Sequence, residues 1–589
     1  MIRVRSLIAG AWRTWRAGLG AGLGQLGVHG RLVRAGLVGI VCVTVLNGCG
    51  LVSSNASVTA VDTQYTAARA IDRNFVNLPA RAGVSGLIRA PGGPYLRDSN
   101  GAVVILHGVN AVYKHPPFEL FPAPGKPWNF SANDARRIAA LGFNVVRLGI
   151  LWQGIEPGSG GPNQPSVCTP GPPGHPHMFN LAVANAYLAH VAQTVNLLAK
   201  YHIYTLLDMH QDVYNQVFGG EGAPAWAVCT NPVPIFKLPG RWSRNYANPG
   251  LDVAVQHFWS NNVVGNLQGE YDHVWSVVAS YFRDNPWVVG YDPYNEPFSR
   301  EVTVDDTKVF DAQLECFYTG RAHPGELETG ERATCPSTDP AYGVIPSIQS
   351  ADPNHLLFIE PDIYTTSGKR PNLLGPMNFP SLVFNFHVYC SHRNPHTGAP
   401  TSLTECVNQQ IVAMGRRQQE RVRLSTPDQP GGPAWFMSEF GATRSVPLLT
   451  AVTANADALG LGWSYWAWKY YNDPTGSSQE GLVSHSGKLE PSAVVLSRTY
   501  PQLVAGIPVG YYFDPKSGAF SLTFSPFHST HAITSIFISS SHYPNGYCAK
   551  VTGGRIVSTP GASHLLVTTA RSATSVSVSV VAGRCKKAS

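Results

Sequence analysis

Two glutamates close apolar, β-rich runs in the later part of the chain. Glu296 ends Val288-Val-Gly-Tyr-Asp-Pro-Tyr-Asn-Glu, and Glu439 stands in Ala434-Trp-Phe-Met-Ser-Glu-Phe-Gly441. Two strands that deliver carboxylates to one rim provide what retaining glycoside hydrolysis needs. One acid protonates the leaving oxygen, and one carboxylate attacks the anomeric carbon. Glu296 is the expected acid/base, a role that needs a pKa raised by burial beside a second carboxylate. Glu439 is the expected nucleophile and must stay ionised.

Other polar residues gather at the expected strand ends. Arg147 is a fixed cation suited to holding Glu439 ionised, or else a structural ion-pair partner. Tyr389 can donate a hydrogen bond to the nucleophile, and His387, two residues earlier, shares its strand face. Asn295 is placed to meet a sugar 2-hydroxyl, while His210 and Asp212 can grip sugar hydroxyls. Trp466 offers a flat face to a pyranose ring, although Trp463, Trp466 and Trp468 alternate and some belong to the core. His107 and His387 can also be read as supporting histidines, and Asp208 as structural.

Strand-like runs alternate with helical ones and would position these residues. The runs are Val103–Leu106, Asn144–Gly149, Tyr204–His210, Trp287–Asn295, His355–Glu360, Leu382–Tyr389, Ala434–Glu439 and Gly462–Trp468. Ser131 and Asp134 form a capping box opening a helix through Leu141, and further helices are expected near 179–200 and 265–284. Eight strand-then-helix repeats predict an α/β fold, a closed (β/α)8 TIM barrel over 86–503. After Pro501 short alternating runs with turns between them predict a small antiparallel β-sandwich over 504–589.

Composition narrows the class. Charged residues are 13% of 589, with 58 Gly and 46 Pro, which suits a loop-rich extracellular enzyme. The net charge of +7 comes mostly from a leader. Arg3, Arg5, Arg13, Arg16, Arg31 and Arg34 precede the first acidic residue, Asp62, and without them about +1 remains. No basic footprint for nucleic acid is left. The leader ends in an apolar run, Gly36–Leu46, of export-signal length. Leu46-Asn-Gly-Cys49 resembles a lipobox, apart from Asn47, so the expectation is secretion, or anchoring at the cell surface through a lipidated Cys49. Residues 50–85 read as a tether. Eight later cysteines favour disulfides. Neighbour pairing (168–229, 316–335, 390–406, 548–585) would staple successive loops, but spacing alone leaves the connectivity open.

The combined motifs resemble glycoside hydrolase family 5, and within it the endoglycoceramidases. The marking segments are His107-Gly-Val-Asn-Ala-Val-Tyr-Lys114, Leu206-Leu-Asp-Met-His-Gln-Asp212, Gly290–Pro297, Phe386–Tyr389 and Ser438–Gly441. The resemblance implies hydrolysis, with retention and without metal or other cofactor, of the β-glycosidic bond between an oligosaccharide and ceramide. It implies Glu296 as acid/base and Glu439 as nucleophile. Lys114, His210, Asp212, Asn295, Tyr389 and Trp466 become sugar-binding positions, with Trp226 a further one. Tyr214–Phe218 and Trp242 are candidates for a lipid groove, or else loop core. A monomer acting on glycolipid is expected. The rival readings are a cellulase-like endoglucanase, a steryl or ceramide monoglycosidase, and a non-catalytic glycan-binding lipoprotein, whose signature would be loss of a glutamate.

Overall fold

The apolar runs become strands because their residues are buried on both faces, as parallel sheets require. The computed structural model describes residues 87–158, 179–261, 266–300, 304–320, 335, 342–394, 399–528 and 532–585. The leader, Cys49 and the tether lie outside them. Two short strands come first, β1 (Leu96–Arg97) and β2 (Val103–Val104). Eight parallel strands follow: β3 (His107–Ala111), β4 (Val145–Ile150), β5 (Tyr204–Met209), β6 (Val288–Asp292), β7 (Leu356–Ile359), β8 (Leu382–Val388), β9 (Ala434–Gly441) and β10 (Gly462–Trp466). They close in order, with β10 pairing β3, into the expected barrel. Helices Ala132–Ala140, Leu181–Ala199 and Leu267–Phe282 stand where they were expected. The first has the predicted capping box, Ser131 Oγ accepting from the Asp134 N–H. Asp134 also accepts from Trp468 Nε1 at 3.0 Å and pairs with Lys469 at 2.6 Å, tying this helix to the chain leaving β10.

The barrel floor is apolar. Val145, Leu206, Phe358, Val383, Ala434 and Phe436 share one cluster, and the polar side chains begin one layer higher, at Arg147, Asp208 and Asn385. One register feature decides the site. Phe386 pairs Met437, but His387 pairs Glu439, so β9 carries one extra residue at Ser438. Inward-facing Phe436 would otherwise send Ser438 inward and Glu439 outward; the bulge turns Glu439 to the face of His387.

Ten strands build the remaining sheets: β1, β2, and β11 (Tyr500–Val504), β12 (Gly506–Asp514), β13 (Ala519–Pro526), β14 (Thr534–Phe537), β15 (Tyr547–Thr552), β16 (Gly554–Ile556), β17 (His564–Thr569) and β18 (Val576–Ala582). A six-stranded antiparallel sheet runs β1-β2-β11-β14-β17-β16, and a four-stranded one runs β12-β13-β18-β15. Burial alternates along β12, β13 and β18, the pattern of sheets covered on one face. Their inner faces share a core of Phe513, Phe520, Phe524, Ile536, Val567 and Val578.

Two expectations change here. Val103–Leu106 is not the first barrel strand. Val103–Val104 joins the six-stranded sheet and the barrel begins at His107, a less apolar stretch that only its pairing with β10 marks as the barrel strand. His107 therefore sits at the start of β3, stacked between Trp463 at 4.2 Å and Tyr500 at 3.7 Å, far below the rim. The segment 86–503 also does not form the barrel alone, since its first two strands lie in the sheet that β11 continues. The disulfides Cys316–Cys335, Cys390–Cys406 and Cys548–Cys585 follow neighbour pairing. Cys229 is also disulfide-bonded, while Cys168 lies outside the described residues.

The sheets clamp the barrel through buried polar contacts. Arg498 donates to Asp457 Oδ2, with Nε at 2.9 Å, and to the Phe513 carbonyl at 2.9 Å. Tyr500 and Gln502 both donate to the Gly142 carbonyl. Gly142 has φ +86°, and a Cβ there would meet the Phe537 ring at 2.2 Å, so a side chain is excluded twice over. Replacing Arg498 by Met strands Asp457 as a buried carboxyl without its cation. The expected cost is roughly 3–5 kcal/mol, read as a lowered calorimetric Tm, whereas an unchanged Tm would mean that this pair does not hold the sheets to the barrel.

Candidate active site

Arg147, fully buried on β4, organises the site. Its Nη1 donates to Glu439 Oε1 at 2.7 Å and to Asn110 Oδ1 at 3.3 Å. Its Nη2 faces Asp208 Oδ1 at 2.9 Å, Asp292 Oδ2 at 2.8 Å, Asn295 Oδ1 at 2.9 Å and Glu360 Oε1 at 3.1 Å. Burial alone would lower its pKa, but Asp208, Asp292, Glu439 and Glu360 raise it well above the ordinary value. The guanidinium is a permanent charge.

Glu439 receives a second hydrogen bond from the Tyr389 hydroxyl, at Oε2 and 2.8 Å. A carboxylate bonded at one oxygen by a guanidinium and at the other by a phenol is held in one orientation. Glu296 is held differently. Its backbone lies in the left-handed region at φ +46°, unusual for a side-chain-bearing residue. Its N–H donates to Glu360 Oε2 at 3.0 Å, and its carbonyl accepts from Gln211 Nε2 at 3.1 Å. These bonds hold the strained turn, which points the carboxyl into the barrel mouth. Burial raises the Glu296 pKa, and the charges of Glu439 and Asp212 add to this, while His387 opposes them.

His387 lies between the two glutamates. Its Nδ1 is 2.8 Å from Glu296 Oε1 and 3.4 Å from Glu439 Oε2, and its Nε2 is 3.0 Å from Glu360 Oε1. Burial would keep it neutral, but Glu360 and Glu439 raise its pKa well above 6.5, making it an imidazolium. Burial works against ionisation of Glu360 as well, yet His387 and Arg147 bring it down to about 2. Asp292 moves the other way: burial and neighbouring Glu360 push its pKa well up. An oxygen of Glu296, one of Glu439 and a nitrogen of His387 all lie within 4.8 Å of one another.

A second cationic centre stands beside the first. Lys114 Nζ meets Asp212 Oδ2 at 2.5 Å, Thr475 Oγ1 at 2.7 Å, Asp473 at 3.2 Å and Glu221 at 3.4 Å. It also lies 4.7 Å over the Trp466 ring, which stacks on His210 at 5.2 Å. His210 Nδ1 is 2.7 Å from Asp208 Oδ2. Burial opposes its charge, but Asp208 raises its pKa to about 10. Trp466 Nε1 donates to Glu480 Oε2 at 3.2 Å, and burial lifts Glu480 to about 7.

Both centres open into one cavity of about 1280 Å³. Of the expected residues, Lys114, His210, Asp212, Asn295, Glu296, Tyr389, Glu439 and Trp466 line it. Arg147 and His387 lie beneath the lining and act through the glutamates. Trp226 does not line it: its Nε1 donates to the Glu156 carbonyl at 3.2 Å and its ring packs edge-on to Trp152. Of the proposed lipid groove, Trp242 lines the cavity, whereas Tyr214 and Phe218 are buried in the loop core. Glu360, Asp292, Asn385, Tyr246, the Lys114 partners Glu221, Asp473 and Thr475, and the Trp466 partner Glu480 were not singled out beforehand. Glu360 did carry a signal, since it ends an apolar run as the two catalytic candidates do.

Residues 117–472 match the model for cellulase (glycosyl hydrolase family 5). The chain belongs to glycosyl hydrolase family 5. This family 5 hydrolase also matches the model for the family 5 C-terminal domain over residues 498–581. It is 28% identical over 491 residues to endoglycoceramidase I of Rhodococcus hoagii (strain 103S), covering 81% of this chain and 84% of that protein. It is 28% identical over 490 residues to an endoglycoceramidase of Cyanea nozakii, covering 77% and 85%. Its fold resembles that of endo-glycoceramidase II from Rhodococcus sp., solved as a lactosyl-enzyme intermediate, with a TM-score of 0.64 at 24% identity over 83% of this chain and all of that one.

Two outcomes test this electrostatic reading. Arg147→Lys keeps the charge but loses the fork that reaches Glu439 and Glu360 together. A kcat loss of about 10²–10³ is expected, and near-normal kcat would show that the fork is dispensable. In His387→Gln, Glu296 loses the cation that holds its pKa down, so that pKa rises further. The acid form then persists to higher pH, and the alkaline limb of kcat/KM moves upward; a limb that stays put or moves down would count against Glu296 as the titrating acid.

Proposed function

We propose that this family 5 hydrolase is an exported, retaining β-glycosidase that cleaves the bond between a glycan and a lipid of the ceramide type. The observation that carries the reading is the glutamate pair with an oxygen of each within 4.8 Å. That spacing suits a retaining pair, whose carboxyls stand about 5–5.5 Å apart, and not the roughly 6.5–9.5 Å that leaves room for water in inversion. The relatives named endoglycoceramidase support the substrate class.

Glu439, held in place by Arg147 and Tyr389, attacks the anomeric carbon. Glu296, whose raised pKa lets it carry a proton, donates it to the departing lipid oxygen. A glycosyl ester on Glu439 results. Glu296, now a carboxylate, takes a proton from water, which attacks the same carbon and frees Glu439. His387 follows the proton count: it donates to Glu296 when that group is anionic, and it shields the two carboxylates from each other. Lys114, His210, Asp212 and Asn295 would receive the sugar hydroxyls against the Trp466 face. Export rests on the leader, with Cys49 as the residue that lipidation would modify.

The lipid would leave past Trp242, Tyr246 and Ile363, the apolar part of the cavity lining. A polysaccharide cleft would instead offer aromatic platforms on both sides of the scissile bond. Glycosphingolipids bearing one, two and four or more sugars separate the readings. The expected products are an intact oligosaccharide and free ceramide, lost in both Glu296→Gln and Glu439→Gln. Release of monosaccharide alone would favour a monoglycosidase, and cleavage of cellulose but no lipid would overturn the glycolipid reading.

A further inference from the structure

Between Cys229 and Asn248 the chain runs along the cavity mouth with its apolar side chains turned outward. Ile235 and Phe236 are 42% and 40% exposed, and Pro234, Lys237, Pro239, Arg241 and Arg244 beside them are exposed too. The backbone beneath is not loose. Asn248 Nδ2 donates to the Phe236 carbonyl at 2.6 Å, Asn245 Oδ1 accepts from the Leu238 N–H at 2.8 Å, and Arg244 Nη1 donates to the Pro239 carbonyl at 2.8 Å. Cys229 is held by its disulfide. An exposed hydrophobic residue alone needs no explanation. Two adjacent ones on a braced backbone, flanked by prolines and cations, do.

The charge around them has one sign. From Gly222 to Leu251 there is no Asp or Glu, while Lys237, Arg241 and Arg244 are present. The same segment forms the rim: Gly240, Arg241, Trp242, Ser243, Arg244 and Tyr246 line the cavity, with Arg393 on the rim as well. Lys237 is three residues from Gly240, at most about 11 Å along the chain.

We propose that this segment is an interfacial docking element that seats the cavity mouth on a lipid surface bearing anionic headgroups. Resting on the glycolipid reading above, it explains how a substrate anchored in a bilayer reaches a buried glutamate pair. The Ile235 and Phe236 side chains enter the boundary between headgroups and acyl chains. Lys237, Arg241 and Arg244 stay at headgroup level, where anionic lipid attracts them. No helix among the described residues is long and apolar enough to cross a membrane.

The test uses the full-length protein and vesicles without glycolipid, so its result does not depend on hydrolysis. Hydrogen exchange over residues 230–247 is followed with phosphatidylcholine vesicles, with phosphatidylcholine–phosphatidylglycerol vesicles, and without vesicles. Slower exchange in this segment with the anionic vesicles, weakened by salt, is the expected result. The protein carrying both Ile235→Ser and Phe236→Ser should lose that protection and bind these vesicles roughly tenfold or more weakly. It should still turn over a water-soluble aryl β-glycoside normally, which shows that it is folded. Protection that is absent, that is equal on neutral vesicles, that survives the double substitution, or that grows with protein concentration alone (self-association) overturns the proposal. If docking fails while glycolipids are still cleaved, the substrate reading stands; if docking holds and no glycolipid is cleaved, only the substrate reading falls.

Discussion

Everything at the barrel mouth depends on one buried guanidinium. A charge in a protein interior is costly unless it is paired with good geometry. Arg147 is over-paired, with four carboxyls in reach. Two shifts accompany this crowding: burial and Glu360 push the Asp292 pKa well up, and, against burial, Glu360 and Glu439 push that of His387 well up. Both catalytic candidates are then placed relative to the same group. Arg147 binds Glu439 directly. It reaches Glu296 through Glu360, whose Oε1 accepts from Arg147 and whose Oε2 accepts from the Glu296 N–H. Glu296 and Glu439 share one reference point, so their spacing does not rest on the mobility of separate loops.

The two glutamates thus acquire different chemistry from different surroundings. Glu439 touches the cation and the phenol. Glu296 touches neither Arg147 nor Tyr389, pairs with His387 instead, lies in a strained turn, and has a pKa raised by burial. Lys114 repeats the principle a few residues away, gathering Asp212, Glu221, Asp473 and Thr475 into a rigid polar wall against Trp466. Such a wall is already ordered before a sugar arrives, which limits the entropy lost on binding.

The barrel was legible because doubly buried parallel strands read as unbroken apolar runs, and seven of the eight runs were found within a few residues of their strands. The first run failed because Val103–Leu106 is more apolar than His107–Ala111, and the strands that separate the two, β11 and β10, lie hundreds of residues away. The glutamates were visible because each ends such a run. The bulge at Ser438 was not, since it is a property of pairing rather than of composition. Glu221, Asp473, Thr475 and Glu480 come from loops without a strand to mark them, and only folding brings the first three to Lys114 and Glu480 to Trp466. Trp226 illustrates the converse: an aromatic in a suggestive place whose nearest neighbours are other aromatics.

The most direct test of the central assignment is to trap the covalent intermediate. A 2-deoxy-2-fluoro-β-lactosyl donor with a good leaving group should glycosylate the enzyme in step one, expelling that group, and be hydrolysed off slowly in step two. Mass spectrometry of the digested protein should place the sugar on Glu439, within Ala434–Gly441. A label on any other residue, or no covalent label while the donor is consumed with inversion at the anomeric carbon, would contradict the assignment of Glu439 as the nucleophile.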